Sequence, residues 1–222
     1  MSYTSLARLG TVMILALGAA CSKDTFVPID PGADAQGHTA PTAETIRRNA
    51  AVLQEAPFAD RQDFADASKG LIARMPALRV EGAGTMPIWD QTAYEFITGD
   101  APASVNPSLW RQAQLNNMHG LYQVTDRIYQ LRGHDLANMT IIEGDSGWIL
   151  VDPLTAKETA AVALDFAREH LGDKPVVAVL FTHSHIDHFG GVLGVVSPAD
   201  VAAGRVQIIA PDGFMEEVTS EN

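Results

Sequence analysis

From Thr42 onward, apolar positions first recur at helical spacing and then, beyond Leu121, at strand spacing. Ile46, Ala50 and Leu53 form one stripe, which predicts a helix running to Glu55 with Thr42 as its N-cap and Glu44 in the first turn. Phe64, Ala67, Leu71 and Ile72 predict a second helix over residues 60–74, ended by Met75-Pro76 because a residue before proline avoids the helical region. Residues 78–97 look irregular, with turns at Gly82 and Gly84 and strand-like pieces around Ile88-Trp89 and residues 94–97. Trp89, Tyr94 and Phe96 could line a pocket, although aromatics so spaced more often serve packing. Asn106-Pro107 predicts a helix start, with Asn as cap and Pro in the first turn; the helix should reach Asn117 or Met118, before Gly120. His119 is then a histidine favoured by the helix dipole.

Strand texture follows. Residues 121–124 and 127–131 should pair through a tight turn at Thr125-Asp126, and residues 138–143 and 148–151 flank the turn Gly144-Asp145-Ser146-Gly147. Asp152-Pro153 ends the last of these strands. A helix over residues 156–170 comes next, its stripe being Thr159, Val162, Ala163, Phe166 and Leu171, with Gly172 as the stop and His170 in the last turn. The short β-branched run of residues 176–180 reads as a buried parallel strand, and residues 206–210 as another. Antiparallel strands followed by helix, strand, loop, helix and strand predict an α+β sheet with helices on one face.

The strand at 176–180 delivers the densest chemistry in the chain: Thr182-His183-Ser184-His185-Ile186-Asp187-His188, then Phe189-Gly190-Gly191. His183 and His185 are two apart, so in extended backbone their rings point the same way. Asp187 and His188 follow where the chain turns. Imidazole and carboxylate are zinc ligands, and the spacing suits two neighbouring metals, His183 and His185 on one and Asp187 and His188 on the other. A short His-rich tract can be accidental, but these ligand types between a buried strand and Gly-Gly make a metal loop the better reading.

Composition narrows the rest. A formal net charge of −12 opposes a phosphate backbone and argues against nucleic acid as a partner. The single cysteine, Cys21, excludes an internal disulfide and a thiolate metal cluster. Arg8, the apolar run at residues 12–17 and the small residues Gly18-Ala19-Ala20 have the layout of a secretory signal, too short to span a membrane. Cleavage after Ala20 would make Cys21 the first residue, as in a bacterial lipoprotein, although Gly18 stands where the lipoprotein box usually has Leu. The expected location is exported, periplasmic or secreted, with membrane anchoring through lipid on Cys21 as an open alternative. Residues 1–20 are thus read as a signal peptide, 21–41 as a flexible tether, 42–118 as a mainly helical segment and 119–222 as the sheet domain.

With Thr-His-Ser-His-Ile-Asp-His in this order of elements, residues 121–211 resemble the metallo-β-lactamase superfamily. Residues 131–140, the Glu143-Gly144-Asp145-Ser146-Gly147-Trp148 turn, Phe189-Gly190-Gly191 and residues 209–216 are further similar to the linear alkyl sulfatases, the zinc-dependent enzymes that hydrolyse dodecyl sulfate-type detergents. With the segment carrying Ile88-Trp89-Asp90 and Tyr94, that resemblance covers residues 42–222. It implies a metallo-β-lactamase-like αββα sandwich, present here as its first half, behind the helical N-terminal segment. It also implies hydrolysis of R–O–SO₃⁻ to alcohol and inorganic sulfate with two Zn²⁺ per complete chain. His183 and His185 would bind the first zinc, and Asp187, also counted as catalytic, would bind the second with His188. Asp152 would steady the histidine loop from behind.

In that family the remaining ligands and the anion-binding residues lie in the second half of the fold, followed by a dimerisation region. The chain is therefore expected to be the N-terminal part of a longer homodimeric enzyme, inactive alone and exposing an apolar sheet face. Asp135 and Asn138 belong to a family-like strand-end motif without an assignable act, turn hydrogen bonding being the plain alternative. His134 stands where an aromatic or apolar residue is expected, and receives no role. Two alternatives stay open: another hydrolase of the superfamily, such as a lactamase or thioesterase, and a non-catalytic metal-binding fragment.

Overall fold

The computed structural model describes residues 32–221, so the expected signal peptide and Cys21 lie outside the described residues. The chain divides into two units, Met1–Ala40 and Pro41–Asn222. In the described part of the first, the Asp34 carboxylate accepts from the backbone N–H groups of Gln36 and His38 and closes a turn.

The second unit begins with α1 (Ala43–Glu55), whose Thr42 side chain accepts from the Thr45 N–H as the predicted N-cap. Next is α2 (Gln62–Ser68), shorter than its apolar pattern suggests. Leu71 and Ile72 continue the stripe but lie in β1 (Leu71–Ala73), which pairs antiparallel with a later strand. The break is at Gly70, at φ +77° and so close to the Gln123 carbonyl that no Cβ would fit; pairing with that strand overrides helical periodicity. Strands β2 (Arg79–Val80) and β3 (Trp89–Asp90) form a small hairpin. Residues 91–94 are a 3₁₀ turn rather than the start of a strand, because the Asp90 carboxylate accepts from the Thr92 N–H and caps it. Helix α3 (Pro107–Asn116) starts as predicted, with the Asn106 side chain accepting from Ser108 and Leu109 N–H. His119 does more than sit near the end of α3: its Nε2 lies 3.0 Å from the Met75 carbonyl.

Strands β4 (Gly120–Thr125), β5 (Ile128–Arg132), β6 (Met139–Glu143) and β7 (Trp148–Val151) follow as an antiparallel meander. The first turn falls one residue later than expected, on Asp126 and Arg127, the latter at φ +59°. Helix α4 (Lys157–Leu171) then crosses over to the parallel strand β8 (Val176–Leu180). After the histidine loop come α5 (Pro198–Ala202), β9 (Gln207–Ile209) and α6 (Phe214–Glu221). The seven-stranded sheet has the order β1-β4-β5-β6-β7-β8-β9, parallel only at β7-β8-β9. Among the described residues no helix is long and apolar enough to cross a membrane.

One face of this sheet packs on α4. Leu131, Met139, Ile141, Trp148, Leu150 and Val179 meet Ala160, Ala163, Leu164, Phe166 and Ala167 in a single core. Each fully buried large apolar side chain there contributes about 1.5–3 kcal/mol. By strand alternation Ile128, Ile142, Ile149, Val151 and Leu180 point to the other face; they are only half-buried and stand outside that core. Ile208 and Ile209 on the edge strand are exposed. The sheet thus has one packed face and a second, apolar and partly open to solvent, as expected.

His134, to which the sequence assigned nothing, is buried at the core edge, 1% exposed, with its ring 5.7 Å from that of Phe166. Nδ1 lies 3.2 Å from the Arg132 carbonyl, and Nε2 has no hydrogen-bond partner among the described residues. Burial pushes this imidazole down to about 4, with nearby His119 adding a little and the Arg132 carbonyl opposing it. The group is neutral when folded and takes a proton near 6.5 when unfolded, so its contribution is intact above pH 6.5 and declines as pH falls toward 4. Folding stability should drop by about 3 kcal/mol across that window. His134→Leu should remove this part of the acid limb in denaturant titrations at about pH 7 and pH 4.5, either side of most of that window; an unchanged acid limb would refute the assignment.

Gly191 supplies a second test. A Cβ there would lie 2.1 Å from the Pro153 carbonyl oxygen and 2.8 Å from that of Ala156, both backbone atoms that cannot swing aside. Gly191→Ala is expected to destabilise the protein by about 3 kcal/mol, as overpacking does, measured by chemical unfolding. A loss below about 0.5 kcal/mol, the range of neutral surface changes, would contradict the close approach.

Candidate metal centre

Strand β8 ends at Leu180, and the chain leaves the sheet through Phe181 into the histidine loop. Two anchors shape that exit. The Phe181 N–H donates to the Ile209 carbonyl on β9, and the Asp152 N–H donates to the Leu180 carbonyl. Beneath the loop Phe181, Phe189 and Phe214 pack together, with ring centroids 5.3–5.9 Å apart. Residues 186–188 and 190–194 then form 3₁₀ turns, the second docked on the backbone of residues 153–157.

The buried Asp152 carboxylate organises the loop. Its Oδ1 accepts from the Thr182 N–H at 2.8 Å. Its Oδ2 lies 2.7 Å from the Thr182 hydroxyl and 2.8 Å from His188 Nδ1. Thr182 Oγ1 is also 2.9 Å from His183 Nδ1. These contacts determine where the protons go. The hydroxyl donates to the carboxylate and accepts from His183 Nδ1–H, while His188 Nδ1–H donates to the carboxylate directly. Both imidazoles therefore carry their lone pair on Nε2.

His185 is oriented differently: its Nε2 faces the Glu221 carboxylate at 3.6 Å, longer than a hydrogen bond. Its Nδ1 stands 3.1 Å from His183 Nε2. With His183 Nε2 as acceptor, a proton on His185 Nδ1 makes this a hydrogen bond, and a cation in the proton's place would be held by both nitrogens. Two nitrogens on one tetrahedral zinc, each bonded at ~2.05 Å, would stand about 3.3 Å apart. A second pair lies alongside: His188 Nε2 is 3.4 Å from Asp187 Oδ2, and the His183 and His188 rings are 4.1 Å apart. The His183 ring is thus as near to His188 as to His185, and imidazole and carboxylate are donor types that zinc takes. Among the described residues no group of three or more His, Cys, Asp or Glu is placed to hold a metal ion. Each pair by itself supplies fewer than the three protein ligands of a catalytic zinc.

Glu221 joins this loop without any signal in the sequence. Helix α6 brings it back beside the histidines, where its carboxylate accepts from the Ser184 hydroxyl at 2.5 Å and faces His185. An isolated glutamate at a polar helix end has no diagnostic spacing, so only the fold reveals it.

The sequence-predicted residues do not all meet. His183, His185, Asp187, His188 and Asp152 come together. Asp135 is buried and bonds to the start of α4 instead. Asn138 is exposed on the wall of a separate cavity of about 510 Å³, which Asp135 also borders. That cavity takes Trp89, Tyr94, Ile97, Met118 and Leu136 as its apolar lining and includes none of the histidines; Phe96 is not among its lining residues and instead packs near Trp110.

Comparison with known proteins places this geometry. Residues 132–221 match the metallo-beta-lactamase superfamily. The chain is 53% identical over 182 residues to an (R)-specific secondary-alkylsulfatase of Pseudomonas sp., a match covering 82% of this chain and 27% of that protein. It is 50% identical over 179 residues to an alkyl/aryl-sulfatase of Saccharomyces cerevisiae, covering 80% of this chain and 28% of the other. The solved structure of the stereoselective inverting sec-alkylsulfatase Pisa1 from Pseudomonas sp. superposes with a TM-score of 0.78 at 53% identity, over 83% of this chain and 29% of that one. The chain thus spans little more than a quarter of the length of these relatives. Its residues 132–221 form a metallo-beta-lactamase superfamily domain of the kind found in alkylsulfatases.

Proposed function

We propose that this chain forms part of a zinc-dependent alkyl sulfatase, hydrolysing alkyl sulfate esters to alcohol and inorganic sulfate. The observation that carries the proposal is the facing pair of imidazole nitrogens, His183 Nε2 and His185 Nδ1, 3.1 Å apart beside the Asp187–His188 pair. Its similarity to alkylsulfatases supplies the substrate class. His183 and His185 would hold one zinc, and Asp187 and His188 the other. Bound metal would supply a water nucleophile of lowered pKa and an anchor for an anionic group. The chain's own residues do the orienting: Asp152 and Thr182 engage Nδ1 of His188 and His183 and leave their Nε2 atoms facing the site, and Glu221 stands on the Nε2 side of His185. Sulfate is a good leaving group, so little proton donation is required of the protein.

Export through residues 1–20, lipid on Cys21 and dimerisation of the longer protein extend this proposal. Mass spectrometry of the mature N-terminus decides the first two, an intact Met1 start being the adverse result.

The complete enzyme, purified without chelator, should carry about two zinc ions per chain, as a two-metal site requires. His185→Ala should lose at least one metal and most sulfate release from dodecyl sulfate. A zinc-loaded enzyme inert toward alkyl sulfates but active on β-lactams or thioesters would overturn the substrate class.

Asp152→Ala should weaken zinc binding by about 10–100-fold, the usual cost of losing a partner that orients metal-bound imidazoles. Competition with a chromophoric chelator measures this, and unchanged affinity would remove Asp152 from the site.

A further inference from the structure

Between β5 and β6 the Asp135 carboxylate, 6% exposed, reaches across to the start of α4. Its Oδ1 accepts from Leu136 N–H and the Thr155 hydroxyl, each at 2.6 Å. Its Oδ2 accepts from Thr155 N–H at 3.2 Å, from Ala156 N–H at 3.4 Å and from the Thr159 hydroxyl. Helix α4 has no side-chain cap of its own, since Ala156 occupies the N-cap position. Asp135 instead grips the two residues just ahead of the helix, Thr155 and Ala156, and the Thr159 hydroxyl in its first turn.

The segment it grips is the one that carries Asp152. Asp152 and Leu154 both have positive φ, +55° and +65°, and for a bulky residue such as Leu this backbone is strained. From the opposite side Gly191 donates its N–H to the Leu154 carbonyl at 2.8 Å. A strained turn persists only when its surroundings over-determine it. Here Asp135 holds one end, Gly191 the middle, and Asp152 at the other end grips Thr182 and His188.

We infer that Asp135 is a positioning residue for the histidine loop: by clamping residues 155–159 it fixes the strained turn from which Asp152 orients Thr182 and His188. The zinc arm of this inference rests on the reading above; the structural arm does not. Asparagine cannot replace it, because either amide orientation sets an NH₂ against a backbone N–H, that of Leu136 or those of Thr155 and Ala156.

The test compares Asp135→Asn, Thr155→Val and the unaltered complete enzyme by hydrogen–deuterium exchange of the metal-free protein, zinc competition and steady-state kinetics. Asp135→Asn should raise exchange both at residues 152–156 and at residues 182–191, weaken zinc about tenfold or more, and lower kcat with KM little changed. Exchange rising only at residues 156–160, with zinc affinity unchanged, would reduce Asp135 to a helix cap and overturn the inference. If Asp135→Asn does not fold, Thr155→Val decides: it removes one donor and should show the same pattern at about threefold, the worth of one hydrogen bond. No added exchange at 182–191 in that variant would be equally fatal. Should the unaltered enzyme take up no zinc, the functional reading fails, and the exchange data alone judge Asp135.

Discussion

One buried carboxylate, Asp152, holds the candidate site together. It accepts from a backbone N–H, a hydroxyl and an imidazole of the loop that follows β8, and its own N–H is tied to the last residue of that strand. Burying a carboxylate is costly unless its oxygens are satisfied, and here three donors surround it. The same bonds assign tautomers to two histidines. Stability and chemistry are therefore the same set of contacts: what makes the buried charge tolerable also turns both Nε2 lone pairs away from it.

Placing Asp152 there requires an unusual backbone. The chain must leave β7, turn through two left-handed residues and enter α4 within a few positions, with the 190–194 turn packed directly on its carbonyls. Gly190 and Gly191 are needed because their nearest neighbours are backbone oxygens, which cannot give way as a flexible side chain would. The Gly-Gly that follows the histidines thus serves packing against residues 153–156 and lets the loop lie close to the turn that orients it.

Much of this is legible in the sequence because the signals are local. Thr42, Asn106-Pro107 and Gly172 mark helix ends by their own chemistry, and the run at residues 176–180 is a buried strand by composition alone. The stretches that mislead depend on partners distant in sequence or on a single cap. Leu71 and Ile72 fit a helical stripe until β4 offers them strand pairing, and residues 94–97 read as strand until Asp90 caps a 3₁₀ turn. Asp135 reads as a turn residue, yet its partners are 20 to 24 positions away, at Thr155, Ala156 and Thr159. Glu221 beside His185 is equally invisible to spacing.

The N-terminal segment enters the same chain of dependence. Trp89 donates its indole N–H to the Gly133 carbonyl at 3.0 Å, and the His119 side chain packs where a Cβ on Gly133 would fall, at 2.6 Å. Gly133 itself has φ +71°, a conformation open to glycine at little cost. These contacts fix the loop that presents Asp135 two residues later. A segment that contributes no candidate ligand is thus connected to the histidines by a series of short, directional contacts: indole to carbonyl, carboxylate to the start of α4, strained turn to Asp152, and Asp152 to Thr182 and His188. Each step is a hydrogen bond or a short covalent link, so the loop that presents Asp135 is held from the N-terminal side by Trp89 and His119 and from the other side by the start of α4.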